Sequence, residues 1–122
     1  MLAMRNPRAP HIDFGFLRGL IPSNPKAMPC NIDMVFERKS KFLFGEWKRP
    51  SESVSLGQEI LLMNLSKNHA HTVLLITGNT DDNQVVVSDI TKMIDSKYIK
   101  IGNNVEDLKE ILNQWYIEAN RL

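Results

Sequence analysis

The stretch NIDMVFERKSKFLFGEWK, residues 31–48, contains two apolar runs separated by a short polar segment. The runs IDMVFE and FLFGEW are rich in β-branched and aromatic residues, and the polar RKSK between them predicts a turn. The stretch is therefore typical of a β-hairpin. One acid interrupts each run, Asp33 in the first and Glu46 in the second. These two carboxylates need an explanation, because strands rich in apolar residues rarely accept charge without a partner.

The position of the hairpin turn decides whether the two acids meet. If the turn centres between Lys39 and Ser40, paired positions sum to 79 and Asp33 lies directly across from Glu46. Lys-Ser is not a strong two-residue turn signal, and an odd loop length would separate the acids. Opposed Cβ atoms lie about 4.5–5.5 Å apart, where like charges destabilise the sheet. The predicted pair therefore needs a compensating cation.

A divalent metal meets this need. Mg²⁺, with Mn²⁺ as its substitute, takes oxygen ligands, commonly one or two carboxylates together with water and substrate phosphate. Lys48 shares the face of Glu46 and can hold a water or a phosphate oxygen, as phosphodiester hydrolysis requires. The alternative is a surface salt bridge between Glu46 and Lys48, with Asp33 at a frayed strand end. Glu-x-Lys is common enough that both interpretations stay open.

These residues resemble the PD-(D/E)xK, or restriction-endonuclease-like, nuclease superfamily. Its motif is an Asp at the start of the second core strand and an acid-x-Lys on the third, here Asp33 and Glu46-Trp47-Lys48. NIDMVF is similar to the IDxV segment of RecB-type members, and the twelve residues between Asp33 and Glu46 suit that spacing. Gln58 in LGQEILL matches a Gln that many members carry on the following helix.

The resemblance implies an α/β fold with an αβββαβ core, a mixed sheet flanked by helices. It implies a catalytic set of Asp33, Glu46, Lys48 and Gln58, in which Asp33 and Glu46 bind the metal. Many members carry a further acid on the first core helix, but residues 1–30 contain only Asp13 as an acid. One-metal chemistry is therefore favoured over two-metal chemistry.

The implied activity is that of a Mg²⁺-dependent DNA endonuclease, a small RecB-type or phage resolvase-like member acting in repair, in restriction or on branched DNA. A homodimer is expected, because so small a domain has little surface to enclose a duplex. A nuclease acting on RNA is an alternative with the same fold. A catalytically silent module that binds nucleic acid or protein is an alternative from a different class.

The charge of the chain is divided unevenly. Residues 1–61 carry nine Lys/Arg against six Asp/Glu, a balance of +3, and residues 62–122 carry six against eight, a balance of −2. The basic residues of and after the hairpin predict contacts with a nucleic-acid backbone. They are Arg38, Lys39, Lys41 and Arg49. The alternative is an ordinary solvated hairpin tip.

The chain is predicted to form a Pro-rich arm, residues 1–30, and one nuclease-like domain, residues 31–122. Five of the six prolines fall in the arm, which favours irregular structure with at most a short turn near residues 14–20. The domain is predicted as β, β, α, β, β, α. The first helix follows Ser caps with Gln58 near its start, and the last runs from Asn103 or Asn104 to about Asn120. HTVLLITGN, residues 71–79, is predicted as a continuously apolar strand that ends at Gly78-Asn79. The two acids of TGNTDDN, residues 77–83, are interpreted as part of a polar loop.

Composition limits the remaining classes. No apolar run approaches the roughly 18 residues of a membrane span, and the N-terminal segment lacks the apolar core of a signal peptide, so a cytoplasmic protein is expected. The lone Cys30 has no partner for a disulfide or a zinc cluster. His69 and His71 are interpreted as solvated residues at a strand start, and no small-molecule cofactor is expected.

Overall fold

The computed structural model describes residues 13–121, which form two compact units divided after Asn31. In the first unit a short 3-10 helix, Phe14–Leu17, begins at Asp13, whose carboxylate accepts a hydrogen bond from the Gly15 N–H at 2.8 Å. The short turn predicted near residues 14–20 is therefore present. Residues 1–12 of the predicted arm lie outside the described residues.

The second unit, Ile32–Leu122, contains a five-stranded mixed sheet and two helices. Its elements are β1 (Met34–Arg38), β2 (Lys41–Lys48), α1 (Leu56–Ser66), β3 (His71–Asp81), β4 (Gln84–Ile94), β5 (Lys97–Gly102) and α2 (Val105–Ala119). The sheet order is β1-β2-β3-β4-β5. Strands β2 and β3 are parallel across the α1 crossover, and the other neighbours are antiparallel. The predicted α/β class with a mixed sheet is confirmed.

The register of the first hairpin is the predicted one. Val35 pairs with Phe44 and Phe36 with Leu43, so that paired positions sum to 79. Lys39 and Ser40 form the two-residue turn with φ of 52° and 65°. Positive φ at both central residues is the geometry that matches the right-handed twist of a hairpin, although Asn-Gly is its usual sequence. The turn that the sequence signalled only weakly therefore forms.

Each face of the sheet carries a core covered by one helix. On one face a buried cluster, which contains Leu74, Ile76 and Ile90, packs against apolar residues of α2. On the other face a second cluster, Leu62, Val73 and Met93, includes a residue of α1 itself. β3 supplies both clusters because its side chains alternate between the faces. This explains its continuous apolar sequence, which is typical of a strand covered on both sides.

Both helices begin at the predicted caps. Ser55 caps α1 and its hydroxyl accepts the Gln58 N–H at 3.2 Å. Asn104 caps α2 and its side chain accepts the Asp107 N–H at 2.7 Å. In each case one of the orphan donors of the first helical turn is satisfied. The predicted extents of both helices are confirmed within a few residues.

The second half of the sheet corrects two predictions. Most of TGNTDDN belongs to β3, and only Asp82 and Asn83, with φ of 46° and 65°, form a tight turn. A similar turn at Asp95 and Ser96, with φ of 50° and 64°, leads into β5, which the predicted order lacks. The order of elements is therefore β, β, α, β, β, β, α.

The elements β1, β2, α1 and β3 follow the order of the last four elements of an αβββαβ core. Among residues 13–33, no α-helix or strand precedes β1, and only the short 3-10 helix is present. β1 is consequently an edge strand. The fold confirms the α/β class but does not by itself show a restriction-endonuclease-like core. Within the described residues, no helix is long and apolar enough to cross a membrane.

We expect Gly78→Ala to destabilise the fold by about 2 kcal/mol or more. A Cβ at this position would meet the Val86 carbonyl oxygen and would lie 2.5 Å from the Trp47 ring, whose indole N–H donates to the Gly78 carbonyl at 3.2 Å. The control is Gly57→Ala in α1, where no atom lies within 4 Å of the added methyl group. Urea unfolding should show that this variant is as stable as the wild type or more stable. Equal stability of both alanine variants would contradict the packing described for Trp47.

Candidate functional site

Glu46 and Asp33 form the centre of the candidate site. Glu46 lies on β2 and is only 7% exposed. Asp33 lies immediately before β1, where the register of the hairpin continues opposite Glu46, and it is exposed. One Asp33 oxygen, Oδ2, accepts a hydrogen bond from the Trp47 N–H at 2.8 Å. The start of the edge strand is thus held to β2 by the carboxylate, and the two acids stand beside each other as predicted.

Gln58 joins this pair from α1. It is the third residue of the helix, and its Nε2 donates to Glu46 Oε1 at 3.3 Å. The Ser55 cap fixes the backbone of Gln58 at the same time. Ser55 and Gln58 belong to the same helical turn and together place the Gln58 amide against the buried Glu46 carboxylate. The sequence prediction that Gln58 belongs with Asp33 and Glu46 agrees with this arrangement.

Burial raises the pKa of Glu46 from its ordinary value of 4.5 to about 7, with Asp33 adding to the shift. The largest cause of the shift is the removal of the Glu46 carboxyl from water, which disfavours its charged form. The Asp33 carboxylate then favours the protonated form twice, as a hydrogen-bond acceptor and as a like charge. The hydrogen bond from Gln58 acts in the opposite direction. The site therefore holds a carboxyl whose charge changes near neutral pH.

Lys48 lies on the same face of β2 as Glu46 but does not pair with it. Its Nζ donates to the Glu52 backbone carbonyl at 3.2 Å, in the loop that follows the strand. The Glu52 carboxylate in turn accepts the Arg49 N–H at 2.8 Å. The salt bridge between Glu46 and Lys48 is not among the ion pairs of residues 13–121. Lys48 is thus adjacent to the acids and retained by the loop.

The carboxylates of the site could bind a hard divalent cation that takes few protein ligands. Within residues 13–121, no group of three or more His, Cys, Asp and Glu side chains is arranged to hold a metal. Two carboxylates remain, Asp33 and Glu46, and Mg²⁺ commonly uses one or two carboxylates and keeps several waters. Binding would require Glu46 to give up its proton. The pair therefore suits Mg²⁺ or Mn²⁺ and does not suit a metal that needs a complete protein cage.

Three of the four predicted nucleic-acid-binding residues lie at the other end of the hairpin, where they contact the end of α2. Lys39 Nζ donates to the Asn120 carbonyl at 2.8 Å and Lys41 Nζ to the Ala119 carbonyl at 3.2 Å. Arg38 Nε donates to Asn120 Oδ1 at 2.7 Å. Cations at a helix C-terminus satisfy its free carbonyls and oppose its dipole.

The structure therefore separates the predicted basic set. Arg38 and Lys41 are each five residues from the acid on their own side of the hairpin, about 17 Å along the strand. Arg49, the fourth residue, follows Lys48 directly at the site and is exposed. The contacts with α2 were not predicted. The proposed role of these residues in binding nucleic acid stays a prediction.

The sequence interpretation missed two polar residues on the face that carries Glu46. Thr77 of β3 pairs with Lys48 of β2, and Asp89 of β4 pairs with Thr77. The available signal was the alternation within HTVLLIT, which places Thr77 on the same face as Val73 and Leu75. The predicted strand, residues 71–79, contains Thr77, but it was interpreted as continuously apolar and its hydroxyl was not singled out.

The two histidines lie away from this site. They line a cleft beside the start of β3, together with Lys67 and Lys92. His71 Nδ1 lies 2.8 Å from the Leu65 carbonyl and therefore donates to it. His69 is exposed in the turn before β3. His71 is half-buried and its ring packs edge-on against Phe42 and Phe44, so the interpretation of the histidines as solvated is wrong for His71.

No protein-family model, curated protein or solved structure matches this chain. The functional argument therefore depends on the residues and the geometry described above.

We expect the stability of the metal-free protein to fall between about pH 4.5 and pH 7 because of Glu46. In this window the unfolded chain has lost the Glu46 proton and the native state still holds it, so the native state binds more protons and the free energy of unfolding decreases with pH. Relative to Glu46→Gln, the wild type should lose about 1–3 kcal/mol between pH 4.5 and pH 8. Urea unfolding in EDTA at several pH values measures this difference. Parallel pH profiles for the two proteins would show that Glu46 is not buried as described.

We expect Lys39→Ala and Lys41→Ala each to lower stability by about 0.5–1 kcal/mol, because each removes a donor from the C-terminal carbonyls of α2. Thermal unfolding measures this loss, and Lys26→Ala, in the first unit, is the control.

Duplex binding gives a separate readout for the same variants. If Lys39 and Lys41 also contact phosphates, each variant should reduce the salt dependence of binding by about 0.9 in slope. If the variants are less stable but the salt dependence of duplex binding is unchanged, both lysines only stabilise the end of α2.

Proposed function

We propose that the protein is a divalent-metal-dependent nuclease that hydrolyses phosphodiester bonds in DNA, with a restriction-endonuclease-like core to which β1, β2, α1 and β3 would belong. The observation that carries this proposal is the buried Glu46 held beside Asp33, with Gln58 hydrogen-bonded to it. The two opposed carboxylates repel each other once Glu46 is ionised, above about pH 7, and a divalent cation would relieve that repulsion. Metal-assisted hydrolysis uses a divalent cation, and a pair of adjacent carboxylates can bind such a cation.

In the proposed reaction, Asp33 and Glu46 hold Mg²⁺ by carboxylate oxygens. When bound, the ion supplies positive charge to the phosphoryl oxygens and promotes the ionisation of water. A water oxygen forms a bond to phosphorus, the bond from phosphorus to one ester oxygen breaks, and the proton from water is passed to that leaving oxygen. Glu46 must be ionised beforehand, which its pKa of about 7 permits near neutral pH.

Lys48 and Gln58 have distinct roles in this scheme. Lys48 leaves the Glu52 carbonyl and directs its ammonium group at the attacking water or a phosphoryl oxygen, where negative charge develops. Gln58, already hydrogen-bonded to Glu46, keeps that carboxylate oriented and presents an amide to water. Arg49, exposed beside Lys48, is placed to contact the phosphate backbone.

The expected partners follow from the small size of the domain. A homodimer would place two sites on the two strands of a duplex, and the expected location is cytoplasmic. The same site would also serve a nuclease acting on RNA. A catalytically silent accessory module would keep the acids and bind nucleic acid without turnover.

The deciding experiment incubates the purified protein with linear duplex, single-stranded and branched DNA and with RNA, in Mg²⁺, Mn²⁺ or EDTA. We expect cleavage of at least one DNA substrate with either metal and none in EDTA. Calorimetry should show Mg²⁺ binding that Glu46→Gln weakens. Metal binding without cleavage of any substrate would favour the silent module, and cleavage of RNA alone would correct the substrate class.

We expect Lys48→Ala to retain Mg²⁺ binding and to lose about 10²–10³-fold in single-turnover cleavage rate, as when one oxyanion-stabilising donor is removed. Its charge acts on the transition state and it is not a metal ligand. Glu46→Ala should lose metal binding and cleavage together, and Gln58→Ala should show a smaller loss in rate. The matched control is Lys109→Ala on α2, whose ammonium group lies 3.6 Å from Glu106. Cleavage by Lys48→Ala at the wild-type rate would remove Lys48 from the mechanism.

A further inference from the structure

Only two polar or charged residues are buried in the described part of the chain, Glu46 at 7% exposure and Thr77 at 8%. Burial of a hydroxyl carries a free-energy cost that apolar neighbours do not offset. Valine has the same branched shape and would fill a strand position without that cost. A hydroxyl at this position therefore calls for an explanation beyond packing.

The sheet register places Thr77 beside the candidate site. Thr77 pairs with Lys48 across the parallel strands β2 and β3, and Leu75 pairs with Glu46 one step before it. Neighbouring strands lie about 4.8 Å apart, and side chains of paired residues share a face. The two buried polar residues, Glu46 and Thr77, thus lie on one face of adjacent strands.

Asp89, which follows Lys48 and Thr77 across the sheet, limits where an anion can bind. Asp89 of β4 pairs with Thr77, and its carboxylate lies 3.4 Å from Lys100 Nζ. An anion is attracted by the Lys48 ammonium and repelled by the Asp89 carboxylate. Of the three paired residues, Lys48, Thr77 and Asp89, only Thr77 carries a hydroxyl donor, and it is the direct neighbour of Lys48 across the strand pair.

We propose that the Thr77 hydroxyl donates a hydrogen bond to a non-bridging oxygen of the phosphate group that Lys48 contacts. This inference rests on the proposed function and adds a substrate-contacting residue to it. Lys48 supplies charge from β2, and Thr77 supplies a directed hydrogen bond from β3. The hydrogen bond holds the phosphate against the sheet, next to the two acids that would bind the metal.

The experiment compares Thr77→Val, Thr77→Ser and Thr91→Val with the wild type. Thr91 is the control because it lies on the same face, and its hydroxyl is already occupied by the Leu75 carbonyl at 3.3 Å. Three quantities are measured: the melting temperature, Mg²⁺ affinity by calorimetry, and single-turnover cleavage of the DNA substrate that the wild type cuts. Binding of the same DNA in Ca²⁺ gives a readout that does not depend on turnover.

We expect Thr77→Val to fold, to bind Mg²⁺ as the wild type does, and to cleave about 10-fold more slowly or worse, with weaker DNA binding in Ca²⁺. Thr77→Ser should recover most of the rate, and Thr91→Val should stay within about 2-fold of the wild type.

A wild-type rate in Thr77→Val would overturn this inference while leaving the nuclease proposal intact. A loss of Mg²⁺ affinity in Thr77→Val equal to that of Glu46→Gln would also overturn it, because Thr77 would then act on the metal site. A wild type that neither binds Mg²⁺ nor cleaves nucleic acid would overturn the proposed function itself, and this inference with it.

Discussion

The register of the first hairpin is the constraint on which the candidate site depends. A two-residue turn at Lys39 and Ser40 makes paired positions sum to 79, and this sum alone places Asp33 across from Glu46. A slip of one residue would transfer every side chain of β1 to the opposite face of the sheet. The apolar pattern opposes such a slip, because Met34 packs on the face covered by α2. Core packing therefore fixes the position of the carboxylates, although neither carboxylate contributes to the core.

The acid pair itself works against stability. Glu46 is buried beside a like charge, and its pKa rises because the folded protein disfavours the ionised form. A sequence under selection for stability alone would place an apolar residue here, as β3 does with Val73 and Leu75 on the same face. Surrounding contacts compensate for the cost and fix the geometry. The Trp47 N–H donates a hydrogen bond to Asp33, and Gln58 in the first turn of α1 donates one to Glu46. Rigid elements thus hold a polar pair whose burial is unfavourable for folding, which is the observation behind the proposed function.

The sequence predicted the site more completely than it predicted the far half of the sheet. The hairpin, the Ser55 cap and the helical spacing are local signals, so Asp33, Glu46 and Gln58 could be brought together from the sequence. Strand β5 was missed because its turn, Asp95-Ser96, lacks the usual Asn-Gly signal and two lysines interrupt its apolar residues. The contact between Lys39 and the end of α2 joins positions 81 residues apart. No local pattern carries such a contact. Thr77 was missed because a single threonine in an apolar strand is ordinary for a strand sequence.

The edge position of β1 has a physical consequence for the site. β1 is an edge strand, and Asp33 at its start is exposed, whereas Glu46 on the next strand is buried. The two carboxylates thus differ in their access to water and to ions, although they lie side by side. Asp33 is open to solvent, whereas burial raises the pKa of Glu46 to about 7. In the proposed function, a cation entering from the open edge would meet the exposed Asp33 carboxylate first and would then have to displace the Glu46 proton. The exposure of Asp33 and the raised pKa of Glu46 would together set the order in which the two ligands bind.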